Sequence, residues 1–282
     1  MEANVCRQAA FPPGFPRDEA ISILRNFENN NTDGTGAAWV HNGKFVVERY
    51  PRGLTKVLRK HRFLSHMPHN GWTIAHLRAA SRGDISLENT HPFIAGKWAV
   101  CHNGTFSEFK IVKLALGNRV KFDGETDSEA AAHLISVAGP KRFAETIDWS
   151  GVFFALNIRG DLWAIKTSGE LEIQSLPKEK VVLCSRFDSE KYPDTDEAQI
   201  GWCHLNKDGQ YIKHKKIRED AITYHSPMSA YGQSSTPACG QFNVPHGPPW
   251  MGQGNVGCHV VRDPDGRSVG GGRVWPFRID GD

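Results

Sequence analysis

The 282-residue sequence contains no run approaching the ~18 consecutive apolar residues that a membrane-spanning helix needs. Its start, MEANVCRQAAFPPG, has no apolar h-region. A secretory signal is therefore not expected, and a cytoplasmic setting is. The six cysteines, Cys6, Cys101, Cys184, Cys203, Cys239 and Cys258, form no C-x-x-C pair. That removes sequence support for a zinc site, and reduced thiols are expected. No metal and no cofactor is expected. Internal repeats are absent, as are a G-x-x-x-x-G-K-[ST] phosphate loop and a phosphosugar-binding repeat. Charge of one sign is also scarce, with a formal net charge of +3. The densest basic run, Arg52 to Arg62 (RGLTKVLRKHR), lacks the interleaved aromatics of single-strand binders. It reads as a solvated helix face rather than a nucleic-acid contact.

What is present is 39% hydrophobic residues, enough for one sizeable core. The character changes near His225. From 226 to 282 the chain is rich in Gly, Pro, Ser and Gln and nearly without periodicity. Such a segment buries too little apolar surface to offset its ordering entropy, so a disordered tail is expected, with a local turn at Trp250 or Trp275 allowed. Before it, Asp18 to Asn29 places Ile21, Ile23, Leu24 and Phe27 at helical spacing. Ala37–His41 and Lys44–Tyr50 flank Asn42-Gly43, a hairpin signal because both turn positions need φ > 0. Residues 151–157 and 161–166 predict a second hairpin. Trp72–Leu77, Lys97–His102, Glu172–Ser175 and Val181–Ser185 read as further strands. Thr126 with Glu129 predicts a capping box opening a helix to about Val137. Strands that arrive in hairpins favour antiparallel sheets with helices outside and count against a doubly wound parallel sheet.

Four segments set polar residues beside these elements, and each has a plain reading. Cys6 precedes a Pro-rich turn and can be an ordinary small apolar residue. Arg78 ends a strand, as a surface ion pair or as a planar clamp for a carboxylate. Asn103-Gly104 closes a strand, as a turn or as an oxyanion hole made of a side-chain amide and an accessible backbone N–H. Asp127 sits at a helix start, explained by the helix dipole or by pairing with an ammonium. Singly, the plain readings suffice. Jointly the four supply a nucleophile, an anion clamp, an oxyanion hole and a cation clamp, which hold an α-amino acid by both ends while its side-chain amide is attacked.

The ordered segments CRQ, DGTGAAW (33–39), IAHLRAAS (74–81), ENTHPF (88–93), CHNGTF (101–106) and GETDSE (124–129) resemble the class II glutamine amidotransferases of the N-terminal-nucleophile (Ntn) hydrolase fold. The resemblance covers about residues 6–190. It implies an α+β fold: a four-layer αββα sandwich of two antiparallel sheets flanked by helices. It also implies roles. Cys6 attacks the side-chain amide of L-glutamine and forms a thioester, with its own α-amine as base. Arg78 binds the α-carboxylate and Asp127 the α-ammonium. Asn103 and Gly104 stabilise the oxyanion. His76, Asn89, Thr90 and His91 shape the pocket, although His91 reads equally as a packing histidine ahead of Pro92. Five residues precede Cys6, where most family members begin Met-Cys, so 1–5 are expected to be a propeptide cleaved autocatalytically. Arg7 replaces the glycine common after the nucleophile, which shifts the subfamily more than the class.

The implied organisation is a propeptide (1–5), an amidotransferase domain (6–225) and a tail (226–282). With no acceptor signature in the tail, the ammonia-accepting synthetase or transferase is expected on a separate chain. Two other readings stay open: an Ntn amidohydrolase for a different amide, and a non-catalytic interaction protein on the same fold with Cys6 never unmasked. The Arg78 and Asp127 pair argues for a free amino acid against the first. The MEANV segment supports the second.

Overall fold

The computed structural model describes residues 6–147 and 149–216. The expected propeptide and tail lie outside the described residues. Two antiparallel sheets face each other. The first has the strand order β11 (Thr195–Glu197), β9 (Glu172–Leu176), β10 (Lys180–Cys184), β1 (Arg7–Phe11), β4 (Thr73–Arg78), β2 (Gly34–His41) and β3 (Lys44–Tyr50). The second runs β13 (Tyr211–Lys216), β12 (Gly201–Leu205), β8 (Leu162–Lys166), β7 (Ser150–Asn157), β6 (Trp98–Thr105) and β5 (Phe93–Ala95). Helices α1 (Arg17–Arg25) and α2 (Leu54–Lys60) lie outside the first sheet. Outside the second lie α3 (Phe109–Leu116), α4 (Asp127–Ala138) and α5 (Pro140–Thr146). The expected αββα sandwich is the observed one.

Alternation along the strands builds three apolar layers. Ala9 and Phe11 of β1 turn outward to Ile21, Ile23 and Leu24 of α1 and to Leu54 and Val57 of α2. Ala10, Ile74 and Ala38 turn inward to Cys101, Val152 and Phe154 of the other sheet. Val100 and Phe153 point the opposite way, to Ala130, Ala131, Leu134 and Ile135 of α4. The basic run forms α2, whose Lys56, Arg59 and Lys60 are exposed while Leu54 and Val57 are buried. Among the described residues no helix is long and apolar enough to cross a membrane.

Several local expectations are met with adjustments. Asn42 (φ 49°) and Gly43 (φ 70°) make the β2–β3 turn. The first helix stops at Arg25 and tightens through Asn26, Phe27 and Glu28, whose amides bond three residues back. Thr126 caps α4 by accepting from Glu129 N (3.3 Å), but the Glu129 carboxylate reaches the amides of Asp123 (2.7 Å) and Gly124 (3.0 Å) instead of closing the box. Strand β6 continues to Thr105, so Asn103-Gly104 lies within it and not in a turn.

Candidate active site

At one end of the inter-sheet layer the packing turns polar. Going along β1 from Ala10, the inward positions are Gln8 and then Cys6. Along β4 from Ile74 they are His76 and Arg78, and along β2 from Ala38 they are Gly36 and Gly34. Opposite them, Asn103 continues the inward row of Ala99 and Cys101. Gly36 leaves room for the segment before β5: a Cβ there would lie 1.9 Å from the His91 carbonyl oxygen.

Cys6 Sγ donates to the Ala79 carbonyl at 3.4 Å. Burial pushes its thiol up to about 11, against the pull of the nearby Arg78 cation, while Asp127 and Asp33 push it further up. At neutral pH it is therefore a protonated thiol that needs a proton acceptor. Arg78 is 2% exposed, which rules out the surface ion pair. Its guanidinium donates to the carbonyls of Asp84 (2.9 Å), Arg82 (2.6 Å) and Gly83 (3.0 Å). It thus folds the loop after β4 around a buried cation, and its Nε–H has no acceptor among the described residues. Asp33 braces the same loop by accepting from Ala80 N at 2.7 Å.

Asp127 is the first residue of α4 and is buried. Its carboxylate accepts from Phe106 N (2.8 Å) and Ser128 N (3.0 Å), and Arg82 Nη1 stands 3.9 Å away. Asn103 is buried, and among the described residues its Oδ1 has no partner and its amide nitrogen no acceptor. Asn89 and Thr90 support the surrounding loops. Asn89 Nδ2 donates to Asp84 O (3.2 Å) and its Oδ1 accepts from Glu125 N (2.8 Å), while Thr90 Oγ1 donates to Ser86 O (2.7 Å).

Three buried histidines back the site. His76 and His91 stack with centroids 3.9 Å apart, and His91 meets Phe93 edge-on. His91 thus packs as a buried ring between His76 and Phe93. His102 stacks on Phe153 and bonds Ser128 Oγ through Nδ1 (3.0 Å). Burial lowers all three: His76 to about 3, His102 to about 4 and His91 well below the ordinary range. They are neutral at pH 7 and poor proton acceptors. The sequence reading assigned no role to His102, Gln8 or Asp33, although each lies within a quoted segment.

The family model described as class-II glutamine amidotransferases matches residues 20–145. A Zymomonas mobilis protein named glutamine–fructose-6-phosphate aminotransferase (isomerizing) is 38% identical over 114 residues, covering 40% of this chain and 18% of that protein. One of the same name from Aquifex aeolicus is 33% identical over 127 residues, covering 43% and 21%. The chain thus spans about a fifth of the length of these curated relatives. Among solved structures, the glutamine phosphoribosylpyrophosphate amidotransferase of B. subtilis, complexed with ADP and GMP, aligns with a TM-score of 0.60 at 16% identity, covering 75% of this chain and 49% of that one. A structure described as the allosteric regulatory enzyme of purine biosynthesis gives 0.62 at 17%, covering 75% and 48%. At such identities these two support the fold alone. Residues 20–145 therefore match the class II glutamine amidotransferase family, and the sandwich that carries them shares the fold of these two solved structures.

Proposed function

We propose that this domain hydrolyses the side-chain amide of L-glutamine through Cys6 once residues 1–5 are removed. The observation that carries the reading is the clustering of Cys6 with Arg78 and Asp127 at the polar end of the sandwich, beside the strand bearing Asn103-Gly104. In the uncleaved chain the Cys6 nitrogen is an amide and cannot accept a proton. The thiol first attacks the Val5 carbonyl, shifting the acyl group from N to S. That shift breaks the Val5–Cys6 amide and frees the Cys6 α-amine, and water then hydrolyses the thioester, which releases residues 1–5 with a Val5 carboxylate and restores the thiol.

The free α-amine, with an ordinary pKa of ~7.7–8.0, takes the thiol proton. The neutral, low-pKa histidines are poorer candidates for this step. Sγ attacks the amide carbon, and the oxyanion is held by the Asn103 side-chain N–H and the Gly104 backbone N–H. Collapse breaks the C–N bond, the ammonium returns its proton, and ammonia leaves. Water hydrolyses the γ-glutamyl thioester to glutamate and the thiol. Arg78 holds the α-carboxylate, exchanging some of its loop carbonyls for charge-assisted bonds, and Asp127 holds the α-ammonium. Asn89, Thr90, His76 and His91 hold the walls.

The ammonia passes to an acceptor synthetase or transferase. A glutamate-release assay on the purified chain, with its N-terminus read by mass spectrometry, tests the reading. Glutamate formation by a chain beginning at Cys6 is expected. Full activity from a chain retaining Met1 rules out the free-amine mechanism.

A further inference from the structure

Two hydrogen bonds cross between the sheets at the polar end. Gln8 Nε2 donates to the Val152 carbonyl at 3.0 Å, and His76 Nε2 lies 3.2 Å from the His102 carbonyl. A carbonyl only accepts, so Nε2 carries the imidazole proton and Nδ1 is bare. The two donors are register partners in the β1–β4 pair. Their acceptors flank Asn103: His102 precedes it in β6, and Val152 is its register partner in β7. Gln8 lies two residues after Cys6, and His76 two residues before Arg78. The bonds therefore join the strands carrying Cys6 and Arg78 to the strands around Asn103-Gly104.

Sheet cohesion alone gives no reason for polar groups here. One inward step along the same strands, the register partners are Ala10 and Ile74, both aliphatic and fully buried. At the Gln8 and His76 level, Gln8 Oε1 and His76 Nδ1 are left buried without a partner among the described residues. An unsatisfied buried acceptor is destabilising, and local departures from an apolar core are expected where function needs them. Apolar contact between sheets is non-directional and tolerates small slides. A hydrogen bond weakens steeply with distance and angle, so it fixes one relative placement.

We propose that Gln8 and His76 are positioning residues that fix the spacing between the Cys6 nucleophile and the Asn103-Gly104 oxyanion donors across the two sheets. The inference rests on the glutaminase reading above.

The experiment compares wild type, Gln8→Leu, His76→Leu and His76→Gln in the full chain. It measures kcat and KM for glutamine and the affinities for glutamate and for glutamate γ-semialdehyde. The aldehyde forms a tetrahedral adduct with a cysteine thiol and so reports the oxyanion site, whereas glutamate reports only the amino-acid clamps. Each leucine variant is expected to lose about 10²-fold in kcat, the scale of an ångström-sized misplacement. Its aldehyde affinity should fall in parallel, while KM and glutamate affinity stay within about threefold. His76→Gln keeps an N–H donor and should recover most of the loss. An unchanged kcat, or an equal fall in glutamate and aldehyde affinity, overturns the proposal. If a leucine variant does not fold, Gln8→Met or His76→Asn is held to the same criteria. Inactive wild type sinks the glutaminase reading itself, whereas active wild type with indifferent variants sinks only the positioning roles.

Discussion

Gly104 and Gly151 meet across β6 and β7 so closely that a Cβ on either would stand 2.7 Å from the other's Cα. Gly104 has φ 154°, and its added Cβ would also lie 2.0 Å from the Ser150 carbonyl oxygen. The strand carrying the proposed oxyanion donors is thus built where no side chain fits at Gly104. Gly104→Ala is expected to cost at least about 2 kcal/mol of stability and most glutaminase activity. The control is Gly43→Ala, at φ 70° with nothing within 4 Å of the new Cβ, which should cost only about 1 kcal/mol and leave activity intact. Urea unfolding of both checks this, and equal destabilisation would contradict the close-contact account.

Arg78, proposed to bind the α-carboxylate, also shapes the protein. Arg78 holds three loop carbonyls, so Arg78→Lys keeps the charge but loses the planar fork. We expect KM for glutamine to rise by about 10²-fold and stability to fall by about 1–3 kcal/mol. Steady-state kinetics and denaturation on the same preparation check both. A stability loss with unchanged KM limits Arg78 to holding the loop.

Asp127→Asn removes the charge and one of the two oxygens that accept from Phe106 N and Ser128 N. KM is expected to rise by about 10–100-fold, with kcat much less affected. A substrate lacking the α-ammonium should be insensitive to the change, because the lost partner is the one it does not have. If both substrates suffer equally, Asp127 is not the ammonium site.

Acid should destabilise the fold before the carboxylates titrate. In the unfolded chain His76, His91 and His102 titrate near ~6.5. In the fold, burial holds His102 at about 4, His76 at about 3 and His91 well below its ordinary range. Above the unfolded value both states are neutral and the contribution is fully present. As pH falls from about 6.5 toward 4, the unfolded state binds protons that the folded state refuses, and stability is lost. The slope for three such groups is on the order of 3–4 kcal/mol per pH unit. Glu48 and Glu129, raised by burial, oppose it at the acid end. Urea midpoints at pH 7, 6 and 5 measure the slope, and a flat profile contradicts the neutral buried cluster.

Much of the sandwich was legible because its signals are local. Asn42-Gly43 needs two positive φ values, Thr126 needs only an amide three residues on, and the short, mostly apolar runs of β4 and β6 read as strands buried on both faces. The sequence reading did not identify β1, α3, α5, β5 or β11–β13. Helix α3 buries no residue fully and lays only Phe109 and Val112 partly against the core, so its apolar stripe is narrow. The three-residue strands β5 and β11 are too short for a period to show. At the site, Cys6, Arg78, Asn103, Gly104 and Asp127 could be named because spacing and residue type pointed to them. What could not be read was long-range: His76 on His91, and Gln8 reaching Val152. Each depends on how the two sheets are stacked, which strand patterns do not encode.

The central claim is that Cys6, freed as an N-terminus, carries the γ-glutamyl group. The most direct measurement is an acid quench of the purified chain during glutamine turnover, followed by peptide mass spectrometry. The account predicts a γ-glutamyl thioester on Cys6, in a peptide that begins at Cys6, and its absence from Cys6→Ala. Turnover with no adduct on Cys6, or an adduct on a chain that still begins at Met1, would contradict it.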